Sequence, residues 1–384
     1  MQWLDPKPSG NFPAATLLAL ARAAVERSPD NPLLKARLGA LLVRAQDFTP
    51  ALAALEEAAA RDPSGFGEWN ALAQCYLKLG RAQDVLALAR RLRDREPSAL
   101  LETSRGLALR QLGRFEEARA ALMDAIALSD DDLSPHFELL HMIACRKDGA
   151  ALLDACDAMP ARVQNLALVT GHRALGFSML RRSDAEGLVD LATQVTRLRF
   201  EPPAEFGGIE RFNQVLANEI LGDPDPSPSR REGRNINYKD DLYRTPAKWA
   251  LRDFTRSAVE AYLATTRPRT GLPPPPSSGT LWGAHTILRR SGRNGQHLHH
   301  RAYVSTIYYV SLPALDPDSD RGALELGCCD EYTRGHAPIW GLRRLRPEPG
   351  TLVIFPSHIF HDVVPTGSDQ PRISVVADLL PSPG

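Results

Sequence analysis

Along the first 200 residues, apolar and polar positions alternate with a helical beat. Leu, Ala and aromatic residues recur three and four apart, and each run is closed by a turn signal such as Leu79-Gly80-Arg81 or Asp62-Pro63. Set against itself, the chain repeats about every 34 residues: Asp62-Pro63-Ser64 returns as Glu96-Pro97-Ser98 and bounds blocks 31–64, 65–98 and 99–132. Each block has room for two antiparallel helices and a turn, so the pattern predicts helical hairpins. Residues 12–30 read as the closing helix of a preceding unit. Residues 133–198 read as two looser hairpins, one opened by Gly171-His172-Arg173-Ala174-Leu175-Gly176. The beat stops at Phe200-Glu201-Pro202-Pro203, where consecutive prolines forbid continuation of a helix. A short helix at 209–220, a polar Pro/Ser/Arg loop at 223–235 and a helix at 246–264 follow. After the Pro273 to Pro276 spacer the texture becomes β, with short runs at Thr280–Leu288, Val304–Leu312, Gly322–Leu326, Gly350–Phe355 and Ile373–Leu380. Strands of that length and spacing predict an antiparallel sandwich or jelly roll. The expected fold class is multidomain α + β, with a helical domain over 1–200 and a β-rich domain with flanking helices over 205–384.

The helical blocks carry a more specific pattern. In the second, Trp69, Leu72, Ala73 and Tyr76 precede the turn Leu79-Gly80-Arg81, and Pro97 closes the unit. The first matches through Leu38-Gly39, Ala51, Leu55, Ala58 and Pro63; the third matches through Gly106, Leu112-Gly113-Arg114-Phe115, Ala118, Leu122 and Ala125. This resembles the tetratricopeptide repeat (TPR), and the resemblance implies an α-solenoid whose concave face holds an extended peptide or a partner protein. Homodimerisation through the repeats, or a purely structural role, is the alternative.

Composition adds boundaries. Lys plus Arg and Asp plus Glu are both 46, so the basic excess of a general nucleic-acid binder is missing. No nucleic-acid partner is expected. The positive charge is 40 Arg against 6 Lys, which with the abundance of Ala suggests GC-rich coding and a bacterial source. No segment reaches 18 uninterrupted apolar residues and the first residues show no secretory pattern, so neither a membrane nor export is expected. Five cysteines, Cys75, Cys145, Cys156, Cys328 and Cys329, are odd in number and include an adjacent pair poorly placed for an ordinary disulfide. A reducing cytoplasm fits them.

The histidines point to chemistry. Seven of ten (His285, His297, His299, His300, His336, His358 and His361) fall within 285–361, where even scatter would put about two. His297 and His299 stand one residue apart, so an extended chain turns them to one face. His361 follows 62 residues after His299, and Arg372 eleven residues later in Arg372-Ile373-Ser374-Val375. A close pair and a distant third His make a facial set of metal ligands with open positions, and an Arg on the next strand offers a fork for a carboxylate. His300 is the nearest competing ligand, although its parity turns it away. His285, His336 and His358 read as ordinary hydrogen-bonded imidazoles. Cys328-Cys329 reads as buried filling, and Trp282 and Trp340 either wall a pocket or pack the core.

Four pieces in order, His297-Leu298-His299, Ser305-Thr306-Ile307-Tyr308-Tyr309-Val310, Phe355-Pro356-Ser357-His358-Ile359-Phe360-His361 and Arg372-Ile373-Ser374, resemble the iron(II)- and 2-oxoglutarate-dependent dioxygenases of the double-stranded β-helix fold. The likeness is to a bacterial subgroup with a His-x-His pattern and covers about 205–384. It implies Fe(II), 2-oxoglutarate and O2, with His297, His299 and His361 as metal ligands. It makes Arg372 the anchor for the distal carboxylate of 2-oxoglutarate, Tyr309 a second donor to that carboxylate by likeness to prolyl hydroxylases, and Ser374 an assistant. Most of the superfamily has Asp or Glu where His299 stands. Either three His hold the metal, which is the reading adopted, or an acid such as Asp362 or Glu325 completes the site. The implied activity is hydroxylation of a peptide or protein side chain docked on the repeats. The alternatives are a small-molecule hydroxylase with dimerising repeats and a non-catalytic interaction protein.

Overall fold

The computed structural model describes residues 1–4, 14–63, 67–92, 98–129, 131–222, 234–237, 244–266 and 269–382. Pro97 and most of the polar loop expected at 223–235 lie outside them. The helical beat becomes α1 (Ala14–Arg27), α2 (Pro32–Arg44), α3 (Phe48–Arg61), α4 (Trp69–Lys78), α5 (Ala82–Leu92), α6 (Ala99–Gln111), α7 (Phe115–Leu128) and α8 (Ser134–Cys145). The pairs α2/α3, α4/α5 and α6/α7 are the three blocks. Asn31 starts one of them: its Oδ1 accepts from the backbone N–H of Leu33 at 3.0 Å and Leu34 at 3.2 Å, satisfying donors that a first turn leaves unpaired. Within the hairpins, small residues permit contact. A methyl on Gly39 would lie 2.5 Å from Leu55 Cγ and one on Gly106 2.7 Å from Leu122 Cγ, so a leucine of the second helix fills the notch in the first.

The turns reveal how far the periodicity runs. Gln46, Gly80, Gly113, Lys147 and Arg181 all have positive φ, between 54° and 75°, at intervals of 34, 33, 34 and 34 residues. The following N–H reaches back five residues at four of them, Asp47 to Leu42 O, Arg81 to Tyr76 O, Arg114 to Leu109 O and Arg182 to Phe177 O, at 2.8 to 2.9 Å. This is the left-handed helix stop that glycine adopts without strain. The later segment therefore keeps the repeat spacing through α9 (Gly149–Asp157), the single turn α10 (Ala161–Gln164), α11 (Ala167–Met179) and α12 (Asp184–Leu188).

Compact packing nevertheless divides the chain elsewhere than the composition suggested. One unit is Ser9–Met142; the other joins Ile143–Gly384 to the N-terminal strand. The expected boundary at 200–205 is displaced because Leu188, Val189, Leu191 and Val195 are buried among strand residues of the β domain, and residues 196–199 form a strand of its sheet. The last helix before the prolines ends at Leu188, and what reaches Pro202-Pro203 is a strand of the β unit, so the prolines mark neither the end of the helices nor the edge of a core.

The β unit contains β1 (Gln2–Leu4), β2 (Thr196–Arg199), β3 (Arg234–Asn237), β4 (Ser278–Leu288), β5 (Val304–Ser311), β6 (Leu324–Leu326), β7 (Arg343–Leu345), β8 (Thr351–Pro356), β9 (His361–Val363) and β10 (Arg372–Pro381). The large sheet has the order β1-β4-β10-β5-β8-β2 with β3 also on β4, and β7-β6-β9 form a small one. All pairs are antiparallel except β1 with β4. The three-residue strands β1, β7 and β9 were not expected; β7 and β9 are too short to show an alternation.

The faces of the large sheet follow from strand parity. One face packs Tyr308, Val310, Ile373, Val375 and Leu379 against Phe212, Leu216 and Ile220 of α13 (Ile209–Leu221) and Leu251 and Val259 of α14 (Pro246–Thr265). The opposite face buries Ile307, Tyr309, Val353 and Phe355 with Leu324, Leu326 and Leu345 of the small sheet. Among the described residues no helix is long and apolar enough to cross a membrane.

Candidate functional site

His361 begins β9, and its backbone exchanges two hydrogen bonds with His297, N to O at 2.8 and 3.1 Å. His297 and His299 lie in no regular strand, contrary to expectation. They sit in a loop that pairs with β9 through this one bridge and through His299 N to Ser357 O at 3.1 Å. The extended backbone keeps the expected result, with both rings on one side and Leu298 buried on the other. The small residue Gly171 has a different use from the one its repeat context suggested. In the middle of α11, its Cα faces this loop, and a methyl there would lie 2.6 Å from Leu298 Cδ2 and 2.8 Å from the His358 carbonyl oxygen.

The three rings converge, with centroids 4.3 to 5.2 Å apart, and one nitrogen of each lies within 4.8 Å of the others. Their tautomers follow from their partners. His297 Nδ1 is 2.7 Å from Gly295 O, His361 Nδ1 is 3.0 Å from Ile359 O, and His299 Nδ1 is 2.7 Å from Asp378 Oδ1. Each partner can only accept, so each Nδ1 carries the proton and each Nε2 is left with its lone pair. The Nε2 atoms of His297 and His299 are 3.3 Å apart. At that distance the two nitrogens can share a cation, either a proton or a metal ion, and three convergent imidazole nitrogens are a donor set that fits a metal ion.

Electrostatics agree. Burial, followed by the neighbouring His297 and His299, holds His361 well below the usual histidine pKa. Burial also opposes charge on His299, but the charge and hydrogen bond of Asp378 outweigh it and raise that pKa. The competitor His300 is pushed down to about 4 by burial, helped by His299 and Arg301, and does not join the cluster. The acids proposed as replacements are engaged elsewhere: Asp362 Oδ2 takes Arg293 Nε at 2.7 Å, and Glu325 Oε1 takes Arg344 Nε at 2.8 Å. Asp362 also accepts from Gly295 N at 2.9 Å.

Arg372, Ser374, Val376 and Asp378 alternate along one face of β10, and Ser305, Ile307 and Tyr309 along the facing side of β5, with Ser374 opposite Tyr309 and Asp378 opposite Ser305. Arg372 is 1% exposed. Its Nε donates to Gly322 O at 3.2 Å and its Nη1 to Ser374 Oγ at 3.1 Å, while Nη2 has no partner. Tyr309 Oη is likewise buried without a partner, with the guanidinium carbon 5.1 Å from its ring centre. Burial lowers the Arg372 pKa and raises that of Tyr309, and each shift is partly offset by the other group, which lies near without a hydrogen bond of good geometry. An unbonded buried donor costs about 1–3 kcal/mol, and a carboxylate would satisfy both groups at once. The residues present therefore fit an anionic cosubstrate as well as a metal.

Beside the three histidines lies a cavity of about 390 Å³, within the range of small-molecule sites, whose wall takes in Val376 and Asp378 of β10 and Ser305 and Ile307 of β5; Arg372, Ser374 and Tyr309 stand further along the same two strands. Trp282, Ala284, Thr286, Thr306 and Val376 wall it beside the three histidines. Trp340 is not there; its Nε1 donates to Gly327 O at 3.1 Å and it packs on the interior core. The remaining histidines have local duties. His358 Nε2 donates to Leu188 O at 2.9 Å with its pKa lowered to about 4 by burial, and His336 Nε2 meets Ser178 Oγ at 2.9 Å. His285 is buried on β4 on the face away from the cavity. Cys328 and Cys329 are free, buried thiols whose pKa values burial raises. Asp378 was not singled out by sequence, because a single acid in Val375-Val376-Ala377-Asp378 has no motif around it; only its parity with Arg372 could have flagged it.

Residues 280–378 match the family described as "Putative 2OG-Fe(II) oxygenase", and residues 103–132 match the tetratricopeptide repeat. No curated protein matches the chain. Among solved structures, similarity extends to a Pseudomonas putida prolyl-4-hydroxylase, at 20% identity over 50% of this chain and 96% of that one with a TM-score of 0.35. A Trichoplax adhaerens prolyl hydroxylase in complex with a hypoxia-inducible factor peptide gives 17%, 50%, 85% and 0.33 in the same order. A thermophilic TPR protein from Thermus thermophilus gives 23%, 38%, 84% and 0.32. The assignment rests on the two family matches: this chain joins tetratricopeptide-type repeats to a 2OG-Fe(II) oxygenase domain and is a 2-oxoglutarate- and iron(II)-dependent dioxygenase.

Proposed function

We propose that the enzyme hydroxylates a side chain of a peptide or protein that its repeats dock, using His297, His299 and His361 to hold iron and Arg372, Tyr309 and Ser374 to hold 2-oxoglutarate. The observation that carries the site assignment is the convergence of one ring nitrogen from each of three histidines on one side of a cavity whose strands also bear the buried donors Arg372 Nη2 and Tyr309 Oη. Iron(II) with 2-oxoglutarate and O2 supplies oxidation of a C–H bond, coupled to decarboxylation of the 2-oxo acid to succinate and CO2. The chain's own part is positional. Arg372 Nη2 and Tyr309 Oη bind the far carboxylate, and Ser374 Oγ keeps the guanidinium turned toward it. The Nδ1 hydrogen bonds fix the ring orientations before the metal arrives, so little ordering remains to be done on binding. The apolar walls from Trp282, Ala284 and Val376 limit water at the reacting centre.

Support for a peptide substrate is architectural: repeats of this type mediate protein–protein interaction, and here they are covalently joined to an oxidising domain. A reducing, cytoplasmic setting belongs to the same reading, since Cys75, Cys145, Cys156, Cys328 and Cys329 are all free thiols. The test combines metal analysis with succinate release from a peptide pool. One iron per chain, succinate formation dependent on a peptide, and loss of iron in His361→Ala are expected. Iron retained by His361→Ala overturns the ligand set, and turnover of a small molecule without any peptide dependence overturns the docking role.

A further inference from the structure

Three imidazoles are a neutral ligand set, one negative charge short of a set with a carboxylate. The structure holds a carboxylate one bond further out. Asp378 is 6% exposed, and its Oδ1 accepts from His299 Nδ1 at 2.7 Å and from Ser305 Oγ at 2.8 Å. Ser305 Oγ is in turn 2.8 Å from Ser357 Oγ, and Ser357 O receives the backbone N–H of His299 at 3.1 Å. Asp378 forms no other ion pair among the described residues. His297 and His361, by contrast, lean on neutral backbone carbonyls. His299, the ring whose Nδ1 meets a carboxylate, stands at the position where a carboxylate ligand is otherwise expected.

We propose that Asp378 is a positioning residue of the metal centre, supplying through the Nδ1 proton of His299 the negative charge that a carboxylate ligand would bring. This rests on reading the three histidines as the metal site. Two effects follow from the geometry. The carboxylate fixes the His299 ring with Nε2 facing the cavity, and it makes that nitrogen a stronger donor, because charge behind an imidazole increases its basicity. Ser305 and Ser357 hold the carboxylate in line and leave its charge to the histidine. Asp362 and Glu325 cannot serve in this way, since Arg293 and Arg344 take up their charge.

The test uses the full chain stripped of metal and titrated with Co(II), followed by its visible absorption, without any turnover. Asp378→Asn keeps the shape and an acceptor oxygen but removes the charge. It is expected to bind Co(II) roughly 10- to 100-fold more weakly, the range for removing such supporting partners. Ser305→Ala keeps the charge and is expected to lose less than about threefold. Binding by Asp378→Asn within twofold of the unaltered protein, or an equal loss in Ser305→Ala, overturns the role of Asp378. Should Asp378→Asn not fold, histidine 15N NMR of the zinc-loaded unaltered protein decides the matter. Nδ1 protonated and Nε2 metal-bound at His299 supports the assignment, and coordination through Nδ1 overturns it. Failure of the unaltered protein to bind any metal removes the histidine reading and this proposal together, whereas equal binding by both proteins removes only the proposal.

Discussion

Tyr309 shows what a single side chain contributes when its polar end faces nothing. Its hydroxyl is buried without a partner, which is a cost in the folded protein, and it lies beside a guanidinium with a free Nη2. Tyr309→Phe is therefore expected to act in two directions. The metal-free protein becomes more stable by about 1 kcal/mol, because a buried unsatisfied hydroxyl is removed, while 2-oxoglutarate binds about tenfold more weakly for want of one hydrogen bond. Thermal melts with and without 2-oxoglutarate measure both; a loss of stability in the free protein would mean that the hydroxyl is satisfied. Residues of this kind were legible in sequence when a short motif surrounded them. His297-Leu298-His299 and the Ile307-Tyr308-Tyr309-Val310 strand disclosed His297, His299 and Tyr309. Asp378 was not legible, because its role depends on the loop residue His299 that its carboxylate meets and on Ser305 opposite it in β5, and no local pattern records either contact.

At the level of elements, the left-handed turns separate what glycine does from what the repeat requires. Gly80 and Gly113 meet the backbone conformation without strain, whereas Lys147 and Arg181 hold it at φ near 55° with a Cβ present. Lys147→Gly and Arg181→Gly are each expected to raise stability by roughly 1 kcal/mol, read as a higher unfolding midpoint in denaturant. No change, or a decrease, would show that the side chain's own contacts outweigh the strain. The second and third hairpins were legible through Gly80 and Gly113 at their turns, and the first, with Gln46 at its turn, through Gly39 and Pro63. The later hairpins were only partly so, since Lys and Arg stand at their turns and conceal the period. The strand at 196–199 was missed for a related reason: Thr196-Arg197-Leu198-Arg199 has one apolar residue and two charges, and it is a strand because it pairs with β8.

For the molecule as a whole, the position of the division matters more than the number of parts. Ala174, Leu188, Val189, Leu191, Val195 and Phe200 are all buried in the cores of the β unit, yet each precedes the proline pair at 202–203. Burying such side chains stabilises by roughly 10 kcal/mol together, as much as a domain commonly has in total. A chain of residues 205–384 is thus expected to be unfolded or aggregated, and one of 131–384 to unfold cooperatively on heating; a cooperative melt of the shorter fragment would count against this. The two-part organisation was legible from periodicity, but the division was not, because proline forbids a helix without saying where the last one ended, and no local pattern tells what that helix is buried against. One strand, finally, sets the working distances of the site. Arg372, Ser374, Val376 and Asp378 are spaced like marks on a ruler, so adding or deleting one residue within 373–377 would turn one end of the scale outward while the other stayed in place. Related chains can vary their loops freely, but along this segment they are expected to keep their length to the residue.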